Sequence, residues 1–158
     1  MQVRSNDPGA QLAREQDVTT ALLALLRQEQ ASLIEADING VTDLLNEKSL
    51  LVAQATDLAI ARHQALALAG FEANETGMQA WIATQPAQSA AVQTWHSLIE
   101  LAREAKEINR TNGLLINQQL SRNEAALNVL RGGESSANTY GPNGQTSTRL
   151  ASSGRVIG

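Results

Sequence analysis

The residues best suited to chemistry are few, and their spacing limits what they can do. The chain has two histidines, His63 and His96, and no cysteine. Disulfides, thiolate metal sites and cysteine nucleophiles are therefore excluded. Neither histidine belongs to an HExxH run, and the Glu-x-x-His pairs that build di-iron bundles do not occur. His96 and Glu100 lie four residues apart, close enough on one helical face to share a metal ion. A half-exposed histidine beside a surface carboxylate is the simpler reading. Glu100, Arg103, Glu104 and Glu107 read as a solvated face, with Arg103 and Glu107 paired at i, i+4, since paired carboxylates become an acid–base site only inside an enclosing pocket. The GxxxxGK[ST], GxGxxG and GxSxG patterns are all missing. The sequence points to a protein that is not an enzyme and uses no cofactor or metal.

Polar residues of another kind stand out. Asn109, Asn112 and Gly113 cluster where a helical stripe turns from apolar to polar. They have two readings: a polar layer that fixes helix register, or a close contact with a partner, with Gly113 admitting another backbone. Tyr140-Gly141-Pro142-Asn143-Gly144 is either an ordinary turn or a short linear motif with an aromatic anchor. Trp81 and Trp95 read as core anchors, because Trp buries a large area in a small bundle.

The elements that must position these residues are helices. The chain has 158 residues, 42% of them hydrophobic but only 3% aromatic. That is enough for one domain with a core built from Leu, Ala, Ile and Val, which suits long packed helices. From Gln11 to Asp37 runs a segment without Pro or Gly, with Val18, Leu22, Leu25, Leu26, Leu33 and Ile34 broadly on one side and Arg14, Glu15, Arg27, Gln28 and Glu35 on others. Asn39-Gly40 predicts a short helix–helix connection or a kink. From Val41 to Ala69 the apolar residues keep a clean i, i+3, i+4, i+7 period, with Lys48 and Arg62 in its two polar slots and Gly70 as C-terminal cap. Residues 71–85 connect, with a short helix over Met78–Thr84. Pro86 is a candidate start of the next helix and Ser89 a second one.

Val92, Trp95, Ile99, Ala102, Ile116, Leu120, Leu127 and Leu130 then mark a single long helix to about Arg131. Its stripe turns polar at Lys106, Asn109 and Gly113 but keeps phase across Asn112-Gly113. After it the composition shifts to Gly, Ser, Thr and Asn, too poor in large apolar residues to offset ordering entropy. The expected fold is all-α: an antiparallel, coiled-coil-like bundle of three long helices with a short connecting helix over residues 1–131, and a disordered C-terminal tail over 132–158. Residues 1–10 read as a frayed leader with a turn at Asp7-Pro8-Gly9.

The formal net charge of −4 argues against a nucleic-acid partner. No apolar run approaches the roughly 20 residues of a membrane span, and the N-terminus has no apolar signal region, so membrane insertion is not expected and a cytoplasmic location is. Monomer and homodimer both remain open, because the Val41–Ala69 stripe can pack within one chain or across a twofold axis.

Long Leu-rich helices, the run Asn109-Arg110-Thr111-Asn112-Gly113 followed by Leu114-Leu115-Ile116, and the Tyr140–Gly144 segment together make the chain resemble the FlgN family of flagellar export chaperones. The spacing of Leu26, Glu29, Leu33, Asp37, Leu44 and Lys48 is similar to that family's first two helices. The resemblance implies a non-catalytic cytoplasmic protein of type III flagellar export. It implies binding of the hook–filament junction proteins FlgK and FlgL before export, prevention of their premature assembly, and delivery to the cytoplasmic domain of the export gate protein FlhA. It also implies that client binding lies at the end of the last helix and in the tail, with Leu127, Val129 and Leu130 as candidates, and that Tyr140 is the gate-contact candidate. The stretch after Gly144, residues 145–158, matches no family role. A helical coiled-coil adaptor without a flagellar role is the alternative reading of the same periodicity.

Overall fold

Two carboxylates in one helix, and two cations in the next, set the register of the first helix pair. The computed structural model describes the backbone of residues 6–137 and the side chains of residues 6–133. Its first helix, α1, spans Leu12–Ile34, and α2 spans Ile38–Leu68. Glu15 pairs with Arg62 at 2.9 Å, and Glu29 pairs with Lys48 at 3.1 Å. Two heptads up α1 thus match two heptads down α2, as an antiparallel pair in constant register requires. Lys48 and Arg62 occupy the polar slots of the α2 stripe because buried carboxylates wait opposite them. Glu15 and Glu29 are only 5% and 1% exposed. Glu15 is thus corrected from an outer face to the seam.

The break between α1 and α2 falls at residues 35–37, before the expected Asn39-Gly40. Ala36 sits in the left-handed region at φ 56. The Asp37 amide donates to the Ser32 carbonyl and the Ala36 amide to the Leu33 carbonyl, which closes the helix end. The Asp37 carboxylate then accepts from the Gly40 amide at 3.0 Å and caps α2. A Cβ on Gly40 would meet that carboxylate, so the glycine makes room for the cap. At the far end Gly70, φ 88, closes α2 in the expected place, with Phe71 donating to Leu66.

The short helix α3 spans Glu75–Ala83, capped by Asn74 through the Gly77 amide at 2.8 Å. It begins three residues earlier than the expected Met78. The last helix, α4, runs Ala90–Ala137 without a break at Asn112-Gly113 and passes the expected end near Arg131. Its cap is Ser89, whose hydroxyl faces the Val92 amide at 3.4 Å, while Pro86 lies in the turn before it. At 1.5 Å per residue α1 and α2 measure about 35 and 46 Å.

Contacts divide the chain after Ile116. In the first unit Leu12, Leu66, Met78, Trp81, Trp95 and Leu98 form one core cluster, which places both tryptophans as anchors. Leu23, Leu26 and Ala105 form a second. Leu12 lies near Trp95 and Leu26 near Ala105, so the first part of α4 runs parallel to α1 and antiparallel to α2: an up-down-up bundle of three long helices with α3 as connector. The Asp7-Pro8-Gly9 segment is not frayed. Pro8 is buried, Asp7 accepts from the Gly9 amide at 2.9 Å, and Gly9 lies against the Trp81 ring.

The face that α4 turns inward differs from the expected stripe. Trp95, Leu98, Ala105 and Asn112 are buried, with Leu101, Ile108 and Leu115 partly so. Ala102, Lys106, Asn109 and Gly113 point outward. Two apolar stripes lie side by side on this helix, and α1 takes the one containing Leu98 and Leu101. In the second unit, residues 117–137 are helical and every side chain from Leu120 to Gly133 is exposed. Of the expected tail, residues 132–137 are instead the last turns of α4, and the remainder, with Tyr140, lies outside the described residues.

Candidate partner-binding surfaces

A buried polar centre ties the three long helices together. Asn112 of α4 is 1% exposed and donates to the Leu26 carbonyl at 3.0 Å and to Glu29 at 2.9 Å. Lys48 of α2 reaches both Glu29 oxygens at 3.1 Å. One residue from each helix therefore shares a single carboxylate, which fixes their mutual register. The Asn112 carbonyl oxygen has no hydrogen-bond partner among the described residues. At the other end Arg62 stacks its guanidinium 4.9 Å from the Trp95 ring centroid while pairing with Glu15.

The Asn109–Gly113 run thus separates by face. Asn112 belongs to the interior, as the register reading expects. Asn109 and Gly113 are exposed, and a Cβ on Gly113 would meet nothing within 4 Å. Asn109 lines a groove of about 330 Å³ with Leu22 and Leu26 of α1, Lys48 and Val52 of α2, and Lys106 of α4.

The client-contact candidates are surface residues. Leu127, Val129 and Leu130 are 51%, 74% and 65% exposed. Leu127 and Leu130 share a helical face with Leu120, itself 56% exposed, while Val129 points elsewhere by the helical period. That spacing makes a short apolar stripe with Asn123 at its centre.

His96 and Glu100 line a second groove, of about 430 Å³, between α3 and α4, together with Gln79, Trp95 and Arg103. Among the described residues there is no group of three or more His, Cys, Asp or Glu able to hold a metal ion. Glu107 takes Arg110, at 2.5 Å, in place of the expected Arg103, and Glu104 pairs with Arg27 across helices. The hydrogen bond and charge of Arg110 hold the Glu107 carboxyl below its usual range. Both partners are on the open surface, so this pair adds little to stability.

Sequence reasoning missed the two buried carboxylates. The signal was present: Glu15 and Glu29 are two heptads apart, as are Lys48 and Arg62.

The molecule is thus a helical bundle whose last helix presents leucines to solvent and whose buried polar centre links its helices. The FlgN protein family model matches residues 1–148. The chain belongs to the FlgN family, a family of flagellar export chaperones. No curated protein and no solved structure gives a significant match. Among the described residues no helix is long and apolar enough to cross a membrane.

Proposed function

We propose that this protein binds the hook–filament junction proteins FlgK and FlgL in the cytoplasm, prevents their premature assembly, and delivers them to the cytoplasmic domain of FlhA without any catalytic step. The observation that carries the client-binding part is the exposed stripe of Leu120, Leu127 and Leu130. Fully burying an exposed leucine side chain is worth about 1.5–3 kcal/mol, and these three are little more than half exposed, so covering them supplies roughly 3–5 kcal/mol before ordering costs. An amphipathic client helix laid against that stripe is masked from polymerising. Tyr140 supplies the gate contact, a role that rests on the family resemblance. Release comes from exchange or from the export machinery, since the sequence carries no ATP-binding motif.

The test is capture of purified FlgK- and FlgL-type proteins by three forms: full length, the double variant Leu127→Glu/Leu130→Glu, and a chain lacking residues 132–158. The charge variant should bind at least about tenfold more weakly with an unchanged helical melt, because both side chains are already exposed. Undiminished capture by that variant overturns the assignment of the stripe. Undiminished capture by the truncated form removes the tail from the client site.

A further inference from the structure

The chain has two lysines, Lys48 and Lys106, and both line the same groove. They come from α2 and α4, so the fold brings them together. Acidic residues outnumber basic ones sixteen to twelve in the chain, yet no carboxylate is among the described residues that line this groove. Lys48 is neutralised by Glu29. Lys106 is exposed and takes part in none of the ion pairs among the described residues. The groove therefore has an apolar floor at Leu22 and Leu26 and a positively charged edge at Lys106.

Its dimensions suit a helix. Lys48 to Ala55 forms one wall and Ala102 to Asn109 the other, each two turns or about 10 Å long. Ala55, Ala102 and Ala105 are small, which leaves lateral room for large side chains from outside. The volume is about twice the ~150 Å³ that holds one benzene, enough for two leucine-sized groups one turn apart.

We propose that this groove receives an amphipathic helix of the client, with two large apolar side chains on its inner edge and an Asp or Glu beside Lys106. The proposal rests on the chaperone reading above. The same groove on a second copy is a poorer occupant, because a twofold axis through it sets Lys106 near its twin.

With two lysines, amine chemistry reads this groove almost alone. Full-length protein is treated with an amine-reactive reagent, with and without a purified FlgK- or FlgL-type client, and the modified peptides are identified by mass spectrometry. Client should suppress labelling of Lys106, and a zero-length carbodiimide should link Lys106 to a client carboxylate. Lys106→Glu should weaken client binding about fivefold at low salt and less at high salt. Ala102→Trp, which fills the groove from an exposed position, should weaken it on the order of tenfold. Capture of client with Lys106 labelled as fast as in the free chain overturns the groove and leaves the chaperone reading intact. No capture by the wild-type chain overturns both. Suppressed labelling in concentrated protein without client overturns the proposal in favour of a second copy.

Discussion

Replacing Lys48 by Met tests whether the polar centre holds the bundle. Glu29 has a side chain only 2% exposed, and Lys48 meets it with two contacts of 3.1 Å. Without that ammonium the carboxylate keeps one donor, the Asn112 amide at 2.9 Å. Removing one partner of a buried pair typically costs about 3–5 kcal/mol. The Lys48 side chain is 24% exposed, so water can enter on that side. The expected cost is therefore nearer 2–3 kcal/mol, from a total stability of about 5–15 kcal/mol. In thermal melts that is a fall of roughly 5–10 °C. The double variant Glu29→Leu/Lys48→Met removes both charges, while the Asn112 amide still reaches the Leu26 carbonyl. It should lie within about 1 kcal/mol of wild type, giving a coupling of about 2 kcal/mol. Urea unfolding followed by circular dichroism at neutral pH measures both of these and the single variant Glu29→Leu, which closes the cycle. A single-variant cost under about 0.5 kcal/mol, or strict additivity in the double variant, refutes the idea that this pair sets the register.

Two glycines give opposite expectations. Gly77→Ala places a Cβ 1.8 Å from the Glu72 carbonyl oxygen, a backbone atom that cannot swing aside. It should cost about 3 kcal/mol or more, and release of Trp81 from the core should appear as loss of near-ultraviolet dichroism. Gly113→Ala adds a methyl that meets nothing within 4 Å on a helix. It should raise stability by up to about 1 kcal/mol, and a lowered melting temperature would contradict the open placement of Gly113.

The number and type of elements were legible because each long helix carries an unbroken 3.6-residue period. Where the reading went astray, the cause was local and identifiable. Gly70 announced the end of α2 because glycine is the usual residue in the left-handed terminal position. Ala36 performs the same task for α1 and gives no such sign, so the break was displaced onto the conspicuous Asn39-Gly40. Those two residues lie in the first turn of α2, one of them beneath the Asp37 cap. Asn112 was legible as a polar layer. Its partner Glu29 was not, because a carboxylate on a helix reads as solvated until the cation that faces it is known. The partner-binding roles proposed for Asn109, Gly113, Leu127, Val129 and Leu130 rest on their surface placement and the family resemblance, not on any geometry that resembles a reactive site.

The misassigned stripe of α4 carries the most functional meaning. Hydrophobic periodicity reports that a helix has an apolar face, but not which neighbour covers it. Within the first unit α4 has two such faces. The one through Leu98, Ala105 and Asn112 packs on α1, where Asn112 finds Glu29. The one through Ala102, Lys106 and Asn109 is left outside. In the second unit Leu120, Leu127 and Leu130 share one helical face, all exposed. A sequence that needed only to fold would have polar residues at those leucine positions, since exposed leucines add nothing to the folded state and invite association. A helical partner that buries them, as proposed above, would account for their helical spacing. Under the two proposals, the leucines of the second unit supply the apolar area that masks a client, and Lys106 of the first unit supplies a charge that speeds encounter more than it slows release.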